Sequence, residues 1–208
     1  LHTLPRGTND SLDLAIRLTR LHILIERDNT FNLTDSFTVL DQAIPANWYP
    51  LLAAKWANVQ GLWYQDHNQF EAALQAYLRT RDLRIAQVGI NHPLVANTYN
   101  NIGNLLYRLG QLDQAIAAHQ RALTIRRQAF TPPDLTLASS YNNLAACYYG
   151  MGNFRASLDA HRRAFGMRLA LLDADHPLIA ASFNNIGNCF LGMQALDSAL
   201  VYHRQALA

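Results

Sequence analysis

The chain has 208 residues, 50% of them hydrophobic, with 17 basic against 15 acidic side chains and a formal net charge of +2. That is enough apolar material for a sizeable core, and a near-neutral balance without a basic tail argues against nucleic acid or an anionic membrane surface as partner. No apolar run reaches the roughly 18–20 residues that span a bilayer and no secretory leader opens the chain, so the expected location is the cytoplasm, with Cys147 and Cys189 as reduced, buried thiols.

In chain order, residues 1–47 come first. Ser11 to Arg27 has helical spacing of apolar residues (Leu12, Ala15, Ile16, Leu18, Leu21, Ile23), and Thr34 to Ile44 reads as a short second helix stopped by Pro45. This pair is expected to be a degenerate helical cap or partial repeat, or else the end of an upstream domain. From residue 48 onward the chain repeats itself. TYNNIGNLLYRLGQLDQAIAAHQRALTIRR begins at Thr98, SYNNLAACYYGMGNFRASLDAHRRAFGMR at Ser140 and SFNNIGNCFLGMQALDSALVYHRQALA at Ser182, a period of 42 residues. Tyr99, Tyr141 and Phe183 share one register; His119, His161 and His203 share another. The same step back lands on KWANVQGLWYQDHNQFEAALQAYLRTRDLR, with Asn58, Gly61, Ala73 and Arg84 in place. Four units are expected, at about 48–90, 91–131, 132–174 and 175–208, the last truncated inside an apparent helix. A chain that opens at Leu1 and stops at Ala208 in this way reads as a piece of a longer protein.

Each unit reads as two helices. The first helix of the second unit starts near Pro93, behind the polar Asn91-His92, and ends at Gly110, which suits a left-handed cap. Gly152 and Asn68 hold the equivalent position, while the fourth unit has Gln194 there. The second helix follows from about Gln111 to Phe130, with small Ala115 and Ala122 allowing close approach. The segments VGINHP, TPPD and LDADHP link one unit to the next. Helical hairpins in series that cannot bury their faces alone stack into an α-solenoid.

The pattern aromatic-x-x-Leu/Ile-Gly/Ala, then Gly, then Ala-x-x-x-aromatic/His-x-x-Ala is similar to the tetratricopeptide repeat. The long period, NHPLVANTYNNIGNLLYRLG, the later DHPLIAASFNNIG and the ALTIRR ending of the second helix resemble the kinesin light chain subtype. The third unit departs from it with TPPDL in place of the His-Pro linker, and the first with VQG in place of Asn-Asn-Ile-Gly. The resemblance implies an all-α, right-handed α-solenoid in which the first helix of each unit lines a concave surface.

The asparagines are the candidate site. Asn97, Asn100, Asn101 and Asn104 fall within about 100° of helix surface, opposite Val95, Tyr99, Ile102, Leu106 and Leu109. Asn58, Asn100, Asn142 and Asn184 form one ladder through the units; Asn101, Asn143 and Asn185 form a second. A primary amide offers two donors and an acceptor without charge, which suits the backbone of an extended peptide. Such ladders equally suit bonds to the next repeat that fix the stacking, and the sequence leaves both readings open. Lys55 and Asn97 lie a turn earlier, and Tyr107, Arg108 and Tyr149 a turn or more later; with Asn188 they complete the expected peptide- or partner-binding face. The cations there are too few for the clamp by which some tetratricopeptide domains hold a C-terminal carboxylate.

The remaining candidates read as packing. The three in-register histidines are expected in the core, because equivalent atoms of stacked helices lie about 10 Å apart whereas zinc ligands converge to about 2 Å from one ion. Tyr77 also takes their place in the first unit. Cys147 and Cys189 are repeat equivalents, too far apart for a disulfide. Arg84, Arg126 and Arg168, near the end of the second helix, are expected to satisfy terminal carbonyls. No phosphate loop, metal-ligand run or nucleophile elbow is present, so neither catalysis, cofactor nor metal is expected. The leading expectation is a protein-interaction scaffold. The alternative is the sensor or autoinhibitory arm of a larger signalling enzyme, since kinesin-light-chain-like arrays in bacterial proteins often precede a caspase-like CHAT protease or a histidine kinase. An exposed solenoid end also invites end-to-end pairing of copies.

Overall fold

The structure, a computed structural model, describes residues 50–207; the helical pair expected over 1–47 lies outside them. Among the described residues there are eight helices and no strand. The chain divides between Ile90 and Asn91 into two compact units.

The first unit holds one helical hairpin, α1 (Pro50–Asp66) and α2 (Phe70–Val88). The Tyr77 ring on α2 lies directly over Gly61 on α1, where a Cβ would stand only 2.5 Å from the ring. A side chain at 61 would therefore push the helices apart. The tyrosine hydroxyl continues past the glycine to donate to Gln65 Oε1 at 3.3 Å. At the end of α1 the His67 ring stacks on Trp63 at 4.0 Å.

The second unit holds three hairpins: α3 (Pro93–Arg108) with α4 (Leu112–Ala129), α5 (Leu135–Gly150) with α6 (Phe154–Leu169), and α7 (Pro177–Gly192) with α8 (Leu196–Leu207). They stack in chain order, α4 against α5 and α6 against α7, and α3 also meets α5. Each incoming first helix fills the notch between its own partner and the second helix before it. Thus Leu137, Ala138, Tyr141 and Leu144 of α5 pack with Leu123 of α4 and Ala164 of α6. Ile186 and Cys189 of α7 pack with Leu158 of α6 in the same way, with Phe165 and Tyr202 around them. Burial of each such large side chain contributes about 1.5–3 kcal/mol.

The linkers are explained by capping. His92 and His176 stand just before Pro93 and Pro177, and the Nδ1 of each accepts from the backbone N–H two residues on, at 3.1 Å. Where the third repeat lacks His-Pro, Asp134 Oδ1 accepts from Leu137 N–H at 2.8 Å. Different residues thus satisfy the same orphan donors of the first turn.

Every hairpin turns the same way. After α3, Gly110 N–H bonds Tyr107 O at 3.0 Å and Gln111 N–H bonds Leu106 O at 2.9 Å, the paired closure that a left-handed residue permits. Gly110 and Gly152 have φ of 72° and 76°, while Asn68 and Gln194 hold the same conformation at 58° and 61°.

Candidate ligand-binding face

On α3, α5 and α7 the side opposite the buried stripe carries the asparagines. Ile102, Leu105 and Leu106 are buried on α3, whereas Asn100, Asn101 and Asn104 are half-buried and Asn97 is exposed. Asn142, Asn143 and Asn188 are likewise half-buried, and Asn184 is exposed. Farther along the same face Tyr107, Arg108 and Tyr149 are exposed. In the first unit, Lys55 is exposed and Asn58 half-buried on α1.

The structure brings the two asparagine ladders together in a definite order. Asn143 Nδ2 donates to Asn100 Oδ1 at 2.8 Å and reaches Asn104 Oδ1 at 3.5 Å. One repeat later Asn185 Nδ2 donates to Asn142 Oδ1 at 3.2 Å. Asn184, at the last rung, has its Oδ1 beside His203 Nδ1 at 3.0 Å. The second ladder therefore bonds back to the first ladder of the preceding repeat. In all three rungs the amide oxygen is engaged within the protein, and among the described residues nothing accepts from the N–H pairs of Asn100, Asn142 and Asn184.

Two arginines do something the sequence reading assigned differently. Arg126 and Arg168 were expected to satisfy the carbonyls ending their own helices. Instead Arg126, at the end of α4, donates from Nη1 to Ser140 Oγ on α5 and from Nη2 to Asn97 Oδ1 on α3 at 2.8 Å. Arg168 donates to Ser182 Oγ on α7 at 2.8 Å. Ser140 and Ser182 pass a bond on to the carbonyls of Thr136 and Leu178. Each guanidinium is buried and so ties one repeat to the next. A close-packed neighbour, rather than solvent or the helix's own end, supplies the nearest acceptors. Burial lowers the pKa of both guanidiniums, and the Asp134 carboxylate opposes that effect at Arg126.

The histidines pack as the sequence predicts at two sites. His119 and His161 are buried; the His119 ring covers Gly103, where a Cβ would stand 2.6 Å from it. In the register of Gly103 the third repeat has Ala145. His203 is only half-buried, because among the described residues no further helix follows α8. Desolvation, and then the nearby Arg126 or Arg168 charge, pushes His119 and His161 down to about 4. Cys147 and Cys189 are free and buried; burial pushes the Cys147 thiol up to about 11, and Cys189 Sγ lies 3.3 Å from Ser157 Oγ. Among the described residues no three His, Cys, Asp or Glu side chains converge as metal ligands, and no described helix is long and apolar enough to cross a membrane.

Charge is divided sharply between the two kinds of helix. α5 and α7 carry no Asp, Glu, Lys or Arg, and α3 carries only Arg108. The second helices of these hairpins are charged, with four such residues on α4 and five on α6.

Stacked helical hairpins, with polar side chains lined up on their first helices, define a repeat scaffold of the protein-interaction class. The tetratricopeptide repeat model matches residues 51–128 and 136–208, and the chain belongs to that family. No curated protein matches it significantly. Among solved structures it is similar to BtubC (BKLC) from P. vanneervenii, with 20% identity and a TM-score of 0.70 over 76% of this chain and 63% of that one. It thus spans about two thirds or less of that protein's length. A Podosopora anserina kinesin light chain-type protein of nearly identical TPR-like repeats gives 16% identity and a TM-score of 0.72, over 91% of this chain and 93% of that one. The apo form of RapI gives 11% identity and a TM-score of 0.79, over 93% and 69%. At these identities the likeness is one of fold: an all-α solenoid with kinesin light chain-like repeats.

Proposed function

We propose that this chain is a non-catalytic scaffold that holds a peptide or partner segment across the first helices of its hairpins, the surface that is concave in tetratricopeptide arrays. The observation that carries this reading is the common orientation of the rungs. Asn143, Asn185 and His203 engage the oxygens of Asn100, Asn142 and Asn184 and leave their N–H pairs to meet acceptors outside the protein. Stacking already has other supports, namely the apolar notches and the Arg126–Ser140 and Arg168–Ser182 bonds. The second ladder then serves stacking, and the first serves the ligand.

The two roles separate experimentally, because Asn142→Ala and Asn185→Ala break the same hydrogen bond from opposite ends. Both variants are expected to lose about 1 kcal/mol of stability. Only Asn142→Ala also removes the rung, and it alone is expected to weaken binding, about fivefold to tenfold, on an array of short capped peptides probed with the chain. Equal losses of binding in the two variants, tracking stability, would assign the rungs to stacking.

A second kind of partner is another copy of this chain. The observation favouring it is an apolar stripe of α8, where Leu196 is 65% exposed and Leu200 50% exposed.

A further inference from the structure

Farther along each first helix than its asparagines, Tyr107, Tyr149 and Leu191 occupy a single register and are 42%, 38% and 50% exposed. They lie seven residues, or two helical turns, past Asn100, Asn142 and Asn184, and so share their side of the helix. The face therefore carries two parallel rows, one of uncommitted amide donors and one of exposed apolar rings and leucine. Tyr107 reaches toward the next repeat, its ring edge 3.6 Å from where a Cβ on Gly150 would stand. Tyr149 is held edge-on by Phe154 at 5.2 Å. The α5 and α7 rungs stand on helices with no charged residue.

From this pairing of rows we infer that the segment bound on this face is an uncharged, proline-rich stretch in the polyproline II conformation, with an apolar side chain at every third residue. This deepens the proposed peptide-scaffold function and rests on it. Successive first helices meet through the Asn143–Asn100 and Asn185–Asn142 bonds, and a packed-helix separation of about 8–10 Å is taken as the spacing of both rows. A β-strand returns a side chain to the same side every two residues, about 6.6 Å, and falls out of step with such rows. A polyproline II helix returns one every three residues, about 9 Å, and stays in step. Its backbone makes no internal hydrogen bonds, so its carbonyls are free to accept from the rungs. Proline also removes backbone N–H groups, which suits a row that offers donors and has its oxygens engaged. Rings of tyrosine are favourable platforms for such segments. An acidic or strongly basic segment would gain no charge partner on α5 or α7.

The probe is a capped peptide of Pro-Pro-Leu triplets, titrated into the full chain and compared with a peptide of the same composition in scrambled order. Triplet binding that weakens about tenfold on scrambling, and about tenfold in a Tyr107→Ala/Leu191→Ala variant, supports the inference. Both substituted residues are exposed, and circular dichroism confirms the fold. Asn184→Ala provides a rung variant that costs no bond between repeats, and weaker triplet binding in it also supports the inference. Equal affinity for the scrambled peptide overturns it. Rung-dependent binding of charged or proline-free peptides, with no response to the triplet peptide, overturns this inference and leaves the scaffold reading standing. Indifference of every bound peptide to Asn142→Ala and Asn184→Ala removes both.

Discussion

His119 and His161 show how one buried side chain links packing to solution conditions. Both rings are buried, His119 over Gly103, and each lies near an arginine that ties its repeat to the next. A proton on either ring would be buried beside a positive guanidinium, hence the fall from 6.5 to about 4. The sign follows from linkage. The unfolded chain takes up protons at these histidines below about 6.5, and the folded chain only near 4. Stability is therefore complete above about 6.5 and is lost as pH falls through that window, by roughly 3 kcal/mol for each histidine at its lower end. Tyr77 already occupies this position over Gly61 in the first unit, so His119→Tyr is a shape-compatible way to remove one titration. The drop in melting temperature between pH 7 and pH 5 is expected to shrink in this variant. An unchanged drop would show that His119 does not carry the dependence.

At the scale of the element, the turns show what can be read along a chain and what cannot. Gly110 and Gly152 marked the ends of their first helices in the sequence, and Asn68 and Gln194 stood in the same register. All four are left-handed. Glycine adopts this conformation freely, whereas glutamine incurs a cost of about 1–2 kcal/mol. Gln194→Gly is therefore expected to stabilise the fold by about 1 kcal/mol and to raise the melting temperature by a few degrees, as calorimetry would register. A lower melting temperature would mean that the Gln194 side chain supports the turn. The repeats, hairpins, capped helix starts and buried stripes were legible because each depends on residues within a turn or two of one another. The partners of Arg126, Arg168, Asn143 and Asn185 were not. A helical wheel gives the side a residue faces, but each of these four has an acceptor on a neighbouring repeat. A signal was nevertheless present: Arg126 and Ser140 stand as far apart in sequence as Arg168 and Ser182. The candidate face was legible as a stripe, and the direction of its hydrogen bonds was not.

Across the second unit, each hairpin is stabilised chiefly by its immediate neighbours, so the same residue type has different weight at different repeats. Leu158 on α6 and Leu200 on α8 share one register, yet Leu158 is 6% exposed beneath α7 while Leu200 is 50% exposed. Truncating Leu158 removes contacts with Ile186 and Cys189 in a closed notch. Leu158→Ala is expected to cost about 2–5 kcal/mol by denaturant titration, and Leu200→Ala well under about 1 kcal/mol. The pairing of copies proposed above would use one stripe of α8, where Leu196, Leu200 and Leu207 are exposed within about 40° of one another around the helix. Such a contiguous apolar surface favours pairing between copies. In sedimentation equilibrium the apparent mass of the chain is expected to rise with concentration, and that of Leu200→Asp to remain monomeric. A monomer mass independent of concentration in the unsubstituted chain would exclude pairing through this face. Equal destabilisation by the two alanine variants would show that Leu200 is covered in solution.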